Sequence, residues 1–575
     1  MKARRYASVG LVLLALVAGC APPQSVGRDG GADPGPEQRA GPPKRLVTAI
    51  RGNPISVSNI QTSGGGGRID GARELSSLTS SGLSVRDASG QSIPVLAERI
   101  PSLDEGSWRV FPDGRMETTW TIRQGAMWHD GTPFTAEDVV FTARIDQDRE
   151  LPWAVEPVWR YVEGLDAPDA RTVKITWKQP YIRANMAGLG SSGLPLNPPF
   201  PRHLLEAQYL SEKDGFPNLA YWTTEFVGSG PFQVKEFVRD SHVALTAFDR
   251  YVLGRPKIDE MEVRFIPDDN ALAANILAGT VELMLGPGIS LEQGVQVRDR
   301  WPQGKMLTGS SGYINMNTQF LNPDPPILAD VRFRRALYMA IDRQQLVDEL
   351  TFGLSEVAHS SIHPTEPEYR YVEPSIIRYP HDPRAAGQMI EELGYRKGPD
   401  GMFQDASGRP LTVQVMATQD DANAKPQFAV LDSFRSIGIT PDAEVVTAQR
   451  QRDLAYRANF KSFSLQSGIS SSADGVSALL AREARTAEIN YTGRNYTRYS
   501  NPAVDALVDR YYTTIPLDER MQVLTQIIRH TTENLVWLPL YWRVLPTLMH
   551  ERISGVNVTS ENSDQWWNAH LWDVR

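Results

Sequence analysis

The sequence predicts a mixed α/β fold spread over two or three domains, and three observations carry that expectation. The chain has 575 residues, more than one hydrophobic core accommodates. Short runs of apolar residues alternate with period two, as half-buried strands require, while others recur with period 3.6, as amphipathic helices require. The two patterns follow one another irregularly, without the regular strand–helix–strand rhythm of a doubly wound parallel sheet. Apolar residues at 41% and charged residues at 22% place the chain among globular proteins rather than disordered or fibrous ones.

The first segment reads as an export signal. Lys2, Arg4 and Arg5 precede an apolar stretch, Val9 to Val17, which is too short to span a bilayer. It ends in Leu16-Val17-Ala18-Gly19-Cys20, similar to a bacterial lipobox, in which small residues before a cysteine permit lipidation and cleavage. Residues 1–19 are therefore expected to be a signal peptide, and Cys20, the sole cysteine, a lipid-anchor site. Residues 20–43 read as a flexible tether, rich in Gly, Pro and polar residues with too little apolar surface to fold.

Ordered structure is expected from Lys44, beginning with a buried strand at Leu46 to Ile50. Alternation predicts further strands through Met116, Thr118, Trp120 and Ile122, through Val173, Ile175 and Trp177, and through Met261, Val263 and Phe265. Thr135 is placed to cap a helix carrying Val139, Val140 and Ala143, with Asp138 completing a capping box. Asp330 caps another, with Phe333, Ala336, Leu337, Ala340 and Ile341 on one face. Asp382-Pro383 and Asn501-Pro502 combine a cap with proline at the first helical position, and Gly394 marks a stop. Met521, Leu524, Ile528, Thr531 and Leu535 line a late helix.

Several function classes lose support at this level. A formal charge of −9 disfavours nucleic acid, which usually calls for a basic patch. A single cysteine leaves no internal disulfide framework and no thiolate metal cluster. Gly309-Ser310-Ser311-Gly312 is not a nucleophile elbow, and no H-E-x-x-H occurs, so no catalytic residue, cofactor or metal is assigned. His359 and His363, four apart with Glu356 nearby, would suit a metal only on a helix; Ser360-Ser361 and Pro364 point to a loop.

Read in order, several blocks resemble the extracellular solute-binding proteins of family 5, which include oligopeptide, dipeptide and nickel carriers. They are Ile93-Pro94-Val95-Leu96-Ala97-Glu98, the long block from Thr121 to Phe141 containing Trp128-His129-Asp130-Gly131, and Gly228-Ser229-Gly230-Pro231-Phe232. Ala278 to Glu282, Val331 to Arg343, Asp382 to Gly408 and Tyr499 to Tyr541 complete the series. The signature residues make sense as scaffold: Asp130-Gly131 as a tight turn and Gly230-Pro231 as a sharp one.

The resemblance implies a two-lobed periplasmic-binding-protein-like fold (type II, cluster C-like) with an extra inserted domain. Lobe I would comprise 45–73, 185–305 and 535–575, the inserted domain 74–184 and lobe III 306–534. It implies a non-enzymatic, monomeric substrate-binding component of an ABC importer, closing on a peptide or similar organic solute and delivering it to a permease in the cytoplasmic membrane. A nickel-chelate or oligosaccharide carrier is the alternative, with a sensory binding protein or a hydrolase further behind. Pocket walls are implied at the loop with Thr62, Ser63 and Gly64 and at the segment with Gln466, Ser467, Gly468 and Ser470. Peptide-binding relatives carry an aspartate for the peptide's amino group where Ser470 stands here. Asp474 would replace it only with a shift of the loop.

Overall fold

The structure, a computed structural model, describes residues 42–58, 69–87, 89–153, 157–186, 198–557 and 565–575. Cys20 with the export signal and tether, and the loop bearing Thr62, Ser63 and Gly64, lie outside the described residues.

Among the described residues the main sheet has ten strands, and two long ones sit near its middle. Gly304–Thr318 and Trp537–His550 run antiparallel from Gly304 opposite His550 to Asn317 opposite Trp537. Beside the first lie Phe463–Ile469, Thr412–Thr418 and Thr440–Val446; beside the second lie Leu283–Met284, Arg45–Ile50, Glu260–Phe265, His242–Ala247 and Phe232–Val238. The register of the long pair shifts between Ser310 and Tyr313 and again between Ile314 and Asn315. Such irregularities bend and twist a strand locally. The run from Gly309 to Gly312 lies at this bend, inside a strand.

The alternating runs became strands for the expected reason, one face buried and one wet. Glu260–Phe265 buries Met261, Val263 and Phe265 and pairs in parallel with Arg45–Ile50. A separate sheet of four strands orders Trp108–Val110, Met116–Thr121, Thr172–Trp177 and Val162–Asp169. Its inner face holds Trp120, Val173, Ile175 and Trp177, all without solvent exposure. The indole Nε1 of Trp177 donates to Thr118 Oγ1 at 3.0 Å, which satisfies both buried polar groups. Distinct apolar clusters gather around Trp222 and Val263, around Phe333 and Val415, around Trp120 and Trp128, and around Leu524 and Val508.

The helix starts follow the sequence signals. The Asp138 carboxylate accepts the Thr135 N–H at 2.8 Å, so the aspartate performs the reciprocal half of a capping box. Asp330, Asp382 and Asn501 accept the N–H groups of Arg332, Ala385 and Ala503. The late helix stops earlier than the apolar spacing suggests. It spans Leu517–Glu533, and Leu535, although buried, lies past its end with φ of 47°. Ile341 likewise caps the helix Val331–Ala340 rather than extending it.

Two signature blocks meet in space, which neither discloses alone. His129 Nδ1 accepts the Gly228 N–H at 3.1 Å, and its Nε2 lies 3.0 Å from the Gly230 carbonyl oxygen and donates to it. The expected turn at Asp130-Gly131 is present, with the Gly131 N–H donating to the Trp128 carbonyl. Gly228 and Gly230 have another reason to be glycine. Both lie against the end of the helix Ala72–Thr79, and the Gly230 N–H donates to the Thr79 carbonyl at 2.9 Å.

Candidate ligand-binding site

The main cavity, about 810 Å³, opens between the four-stranded-sheet segment and the part of the ten-stranded sheet carrying Phe463–Ile469. That volume suits a ligand of several hundred daltons, within the usual range of small-molecule sites. Tyr313, Asn317 and Trp537 of the two long strands form its floor. One wall is aromatic. Tyr181 stacks on Trp177 with centroids 5.3 Å apart and on Tyr161 at 5.1 Å, and Arg160 lies over the Tyr161 ring.

The opposite wall continues the strand Phe463–Ile469. Gln466, Ser467, Gly468 and Ser470, all expected at the site, line the cavity together. Gly468 has φ of 70°, a conformation that glycine adopts without a Cβ penalty and that turns the backbone at the wall. Ser470 and Ser472 hydroxyls are 3.1 Å apart. Beyond them Asp474 reaches the cavity without any displacement of the loop, but its carboxylate is already engaged in an ion pair with the Arg183 guanidinium. The Tyr512 hydroxyl donates to the Asp474 carbonyl at 2.6 Å and holds that turn in place. Arg183 is 9% exposed, and burial is the main force pulling its pKa down. At the rim Arg482 grips Asp509 with two hydrogen bonds.

Tyr161, Tyr181 and Arg183 were not read from the sequence as site residues. Tyr181 and Arg183 follow the strand Thr172–Trp177 by a few residues and Tyr161 ends a short turn before the strand Val162–Asp169, a pattern too common to single them out. Only the fold brings them opposite residues nearly 300 positions later.

The paired histidines are set in a loop. His363 packs edge-on against Trp542 with centroids 4.6 Å apart, and its Nδ1 accepts the Thr365 N–H. Among the described residues no group of three or more His, Cys, Asp or Glu is arranged to hold a metal ion. Burial pushes His129, His359 and His363 down to about 4, and lowers His530 and His570 as well. These rings are neutral when folded and take up protons more readily when unfolded. Stability from this source is therefore complete above about pH 6.5 and falls as pH drops toward about 4. The buried Asp138, whose pKa is raised, opposes this with one group. Urea midpoints at pH 7.0 and 4.5 are expected to differ clearly, with the lower value at pH 4.5. Equal midpoints would show that these rings are hydrated in the folded state.

Residues 98–483 match the family model described as bacterial extracellular solute-binding proteins, family 5 Middle. Across 99% of this chain and the whole of the relative, the sequence is 22% identical to the oligopeptide-binding protein AppA of Bacillus subtilis. Among solved structures, NikA from Brucella suis in complex with Fe(III)-EDTA aligns with a TM-score of 0.73 at 18% identity, covering 92% of this chain and all of that one. The oligopeptide-binding protein from Thermus thermophilus complexed with a pentapeptide aligns at 0.66 with 22% identity, covering 92% and 96%. These likenesses establish a two-lobed solute-binding fold of the family 5 type.

Proposed function

This chain belongs to the bacterial extracellular solute-binding proteins, family 5, and from that premise we propose that it is the substrate-binding component of an ABC importer for a peptide-like organic solute. The observation that carries this reading is the 810 Å³ cavity, walled by Tyr161, Tyr181 and Arg183 on one side and by Gln466 to Ser470 on the other. A ligand touching both walls favours the closed arrangement, because only there does it make both sets of contacts. The three bodies are read as 45–73 with 185–305 and 535–575, as 74–184, and as 306–534. The long strand pair, with its register shifts near Tyr313, is the natural place for movement between them. Gln466, Ser467, Gly468 and Ser470 are the ligand contacts, and the resemblance adds Thr62, Ser63 and Gly64 to them. Cys20 carries the lipid that keeps the protein beside its permease.

The recognised end of the solute is not a free ammonium group. Asp474 lines the cavity four residues past Ser470, and Arg183 already neutralises it. A thermal-shift series on the chain lacking residues 1–20 tests the reading, using free and N-acetylated peptides, oligosaccharides, and nickel with and without chelators. A ligand at about 100 times its Kd stabilises the folded state by about 2.7 kcal/mol. Acetylated peptides are expected to shift the melting temperature at least as far as free ones. A shift with nickel complexes or sugars alone removes the peptide class.

A further inference from the structure

Lys425 and Glu292 form an ion pair at 2.8 Å although 133 positions separate them in the chain. Glu292 lies in the first turn of the helix Leu291–Arg300, and Lys425 near the start of the helix Asp421–Ile437. The two helices belong to different apolar clusters. The first packs with Ala49, Leu272 and Trp301, the second with Phe333, Val415 and Phe434. Among the described residues no other hydrogen bond or ion pair joins them. The clusters also take hold of the long strand pair on opposite sides of its bend. Leu548, opposite Met306, belongs to the first, whereas Met316 and Leu538, opposite each other past the register shifts, belong to the second. The ion pair therefore bridges two bodies that the bend connects.

Neither side chain lines the main cavity or the adjoining one of about 140 Å³, although Asn423, two residues before Lys425, lines the latter. The pair thus stands beside the binding space without touching a solute. Its strength suits a bias rather than a lock. The side chains are 49% and 51% exposed, so water and salt screen the attraction. Asp421, one turn earlier on the same helix, reaches the Lys425 ammonium at 3.2 Å and steadies it. We propose that Lys425 and Glu292 form an electrostatic latch that favours the closed arrangement and lets go as the bodies part. A pair of this kind is worth a factor of about three in population, enough to tilt the equilibrium and too little to prevent release. The inference rests on the solute-binding reading above, in which Glu292 belongs to the first body and Lys425 to the third.

Removing residues 1–20 takes away the sole cysteine, so nitroxide labels at Gln296→Cys and Ser436→Cys, both exposed, report one distance across the pair. Pulsed electron resonance on the ligand-free protein gives its distribution. Glu292→Gln is expected to lower the ratio of the short-distance to the long-distance population by about threefold, and Glu292→Lys by more. Glu292→Lys combined with Lys425→Glu should restore it, which a side chain needed only for folding would not do. Raising the salt from about 0.05 M to about 1 M should reproduce the Glu292→Gln effect in the wild-type protein and add little in that variant. Two populations whose ratio ignores both charge and salt overturn the latch and leave closure about the bend intact. A single distance, unchanged in every variant, overturns the latch together with the movement it would bias.

Discussion

Asp474→Asn is expected to destabilise the protein by about 3 kcal/mol, because it takes the carboxylate counter-charge away from a buried guanidinium. Removing one partner of a buried ion pair costs far more than the pair is worth over an apolar substitute, since the remaining charge stays out of water without its counter-charge. Arg183 is that charge. Its side chain is 11% exposed, against 21% for Asp474, so losing the carboxylate hurts more than losing the arginine. Arg183→Met alone is expected to cost less, and the double variant to recover most of the loss. Urea midpoints at constant m-value measure all three. A loss within about 0.5 kcal/mol for Asp474→Asn would place the pair among screened surface contacts. The same variants bear on recognition: with Arg183 removed, Asp474 becomes free to accept an ammonium group. Arg183→Met should therefore shift preference from N-acetylated toward free peptides, an outcome a merely structural pair would not produce.

Gly230→Ala is the second large effect. A Cβ at this position would lie 2.4 Å from the Thr79 carbonyl carbon and 2.5 Å from the Ser80 nitrogen. Both are backbone atoms, so no side chain can rotate away, and the chain end beneath must move. Moving it disturbs the Gly230–Thr79 hydrogen bond and the Nε2 donor of His129. The cost is expected to reach about 3 kcal/mol or more, at the upper end for overpacked cores. Gly125→Ala is the comparison. Gly125 has φ of 81° with open space around its Cβ position, so alanine there should lose only about 1–2 kcal/mol from the left-handed backbone. If the two substitutions cost the same, close packing is not what makes Gly230 a glycine.

That contrast marks the limit of the sequence reading. Gly230-Pro231 looked like a turn signal, and the block it belongs to could be matched to a family, yet the reason for the glycine is a helix end about 150 residues earlier. The case of His129 is similar. Its place in Trp128-His129-Asp130-Gly131 was legible, while its role, joining that loop to Gly228 and Gly230, required both segments in place. Local signals were dependable where the physics is local. The caps at Asp330, Asp382 and Asn501 act within three residues, and the alternation at Glu260–Phe265 reports one buried face. Leu535 misled because burial at helical spacing does not require a helix, and the backbone leaves the helical conformation at Leu535 itself, with φ of 47°.

The sequence by itself determined the class of the fold, the starts of its main helices, the family, and one wall of the cavity at Gln466, Ser467, Gly468 and Ser470. Each of these is written in short-range pattern or in ordered blocks along the chain. Only the tertiary structure decided the other wall and the electrostatic state of the site. Arg183 and Asp474 are ordinary charged residues until folding brings them against each other. Burial is a property of the assembled chain, and it turns common charged side chains into an ion pair at the wall of a cavity.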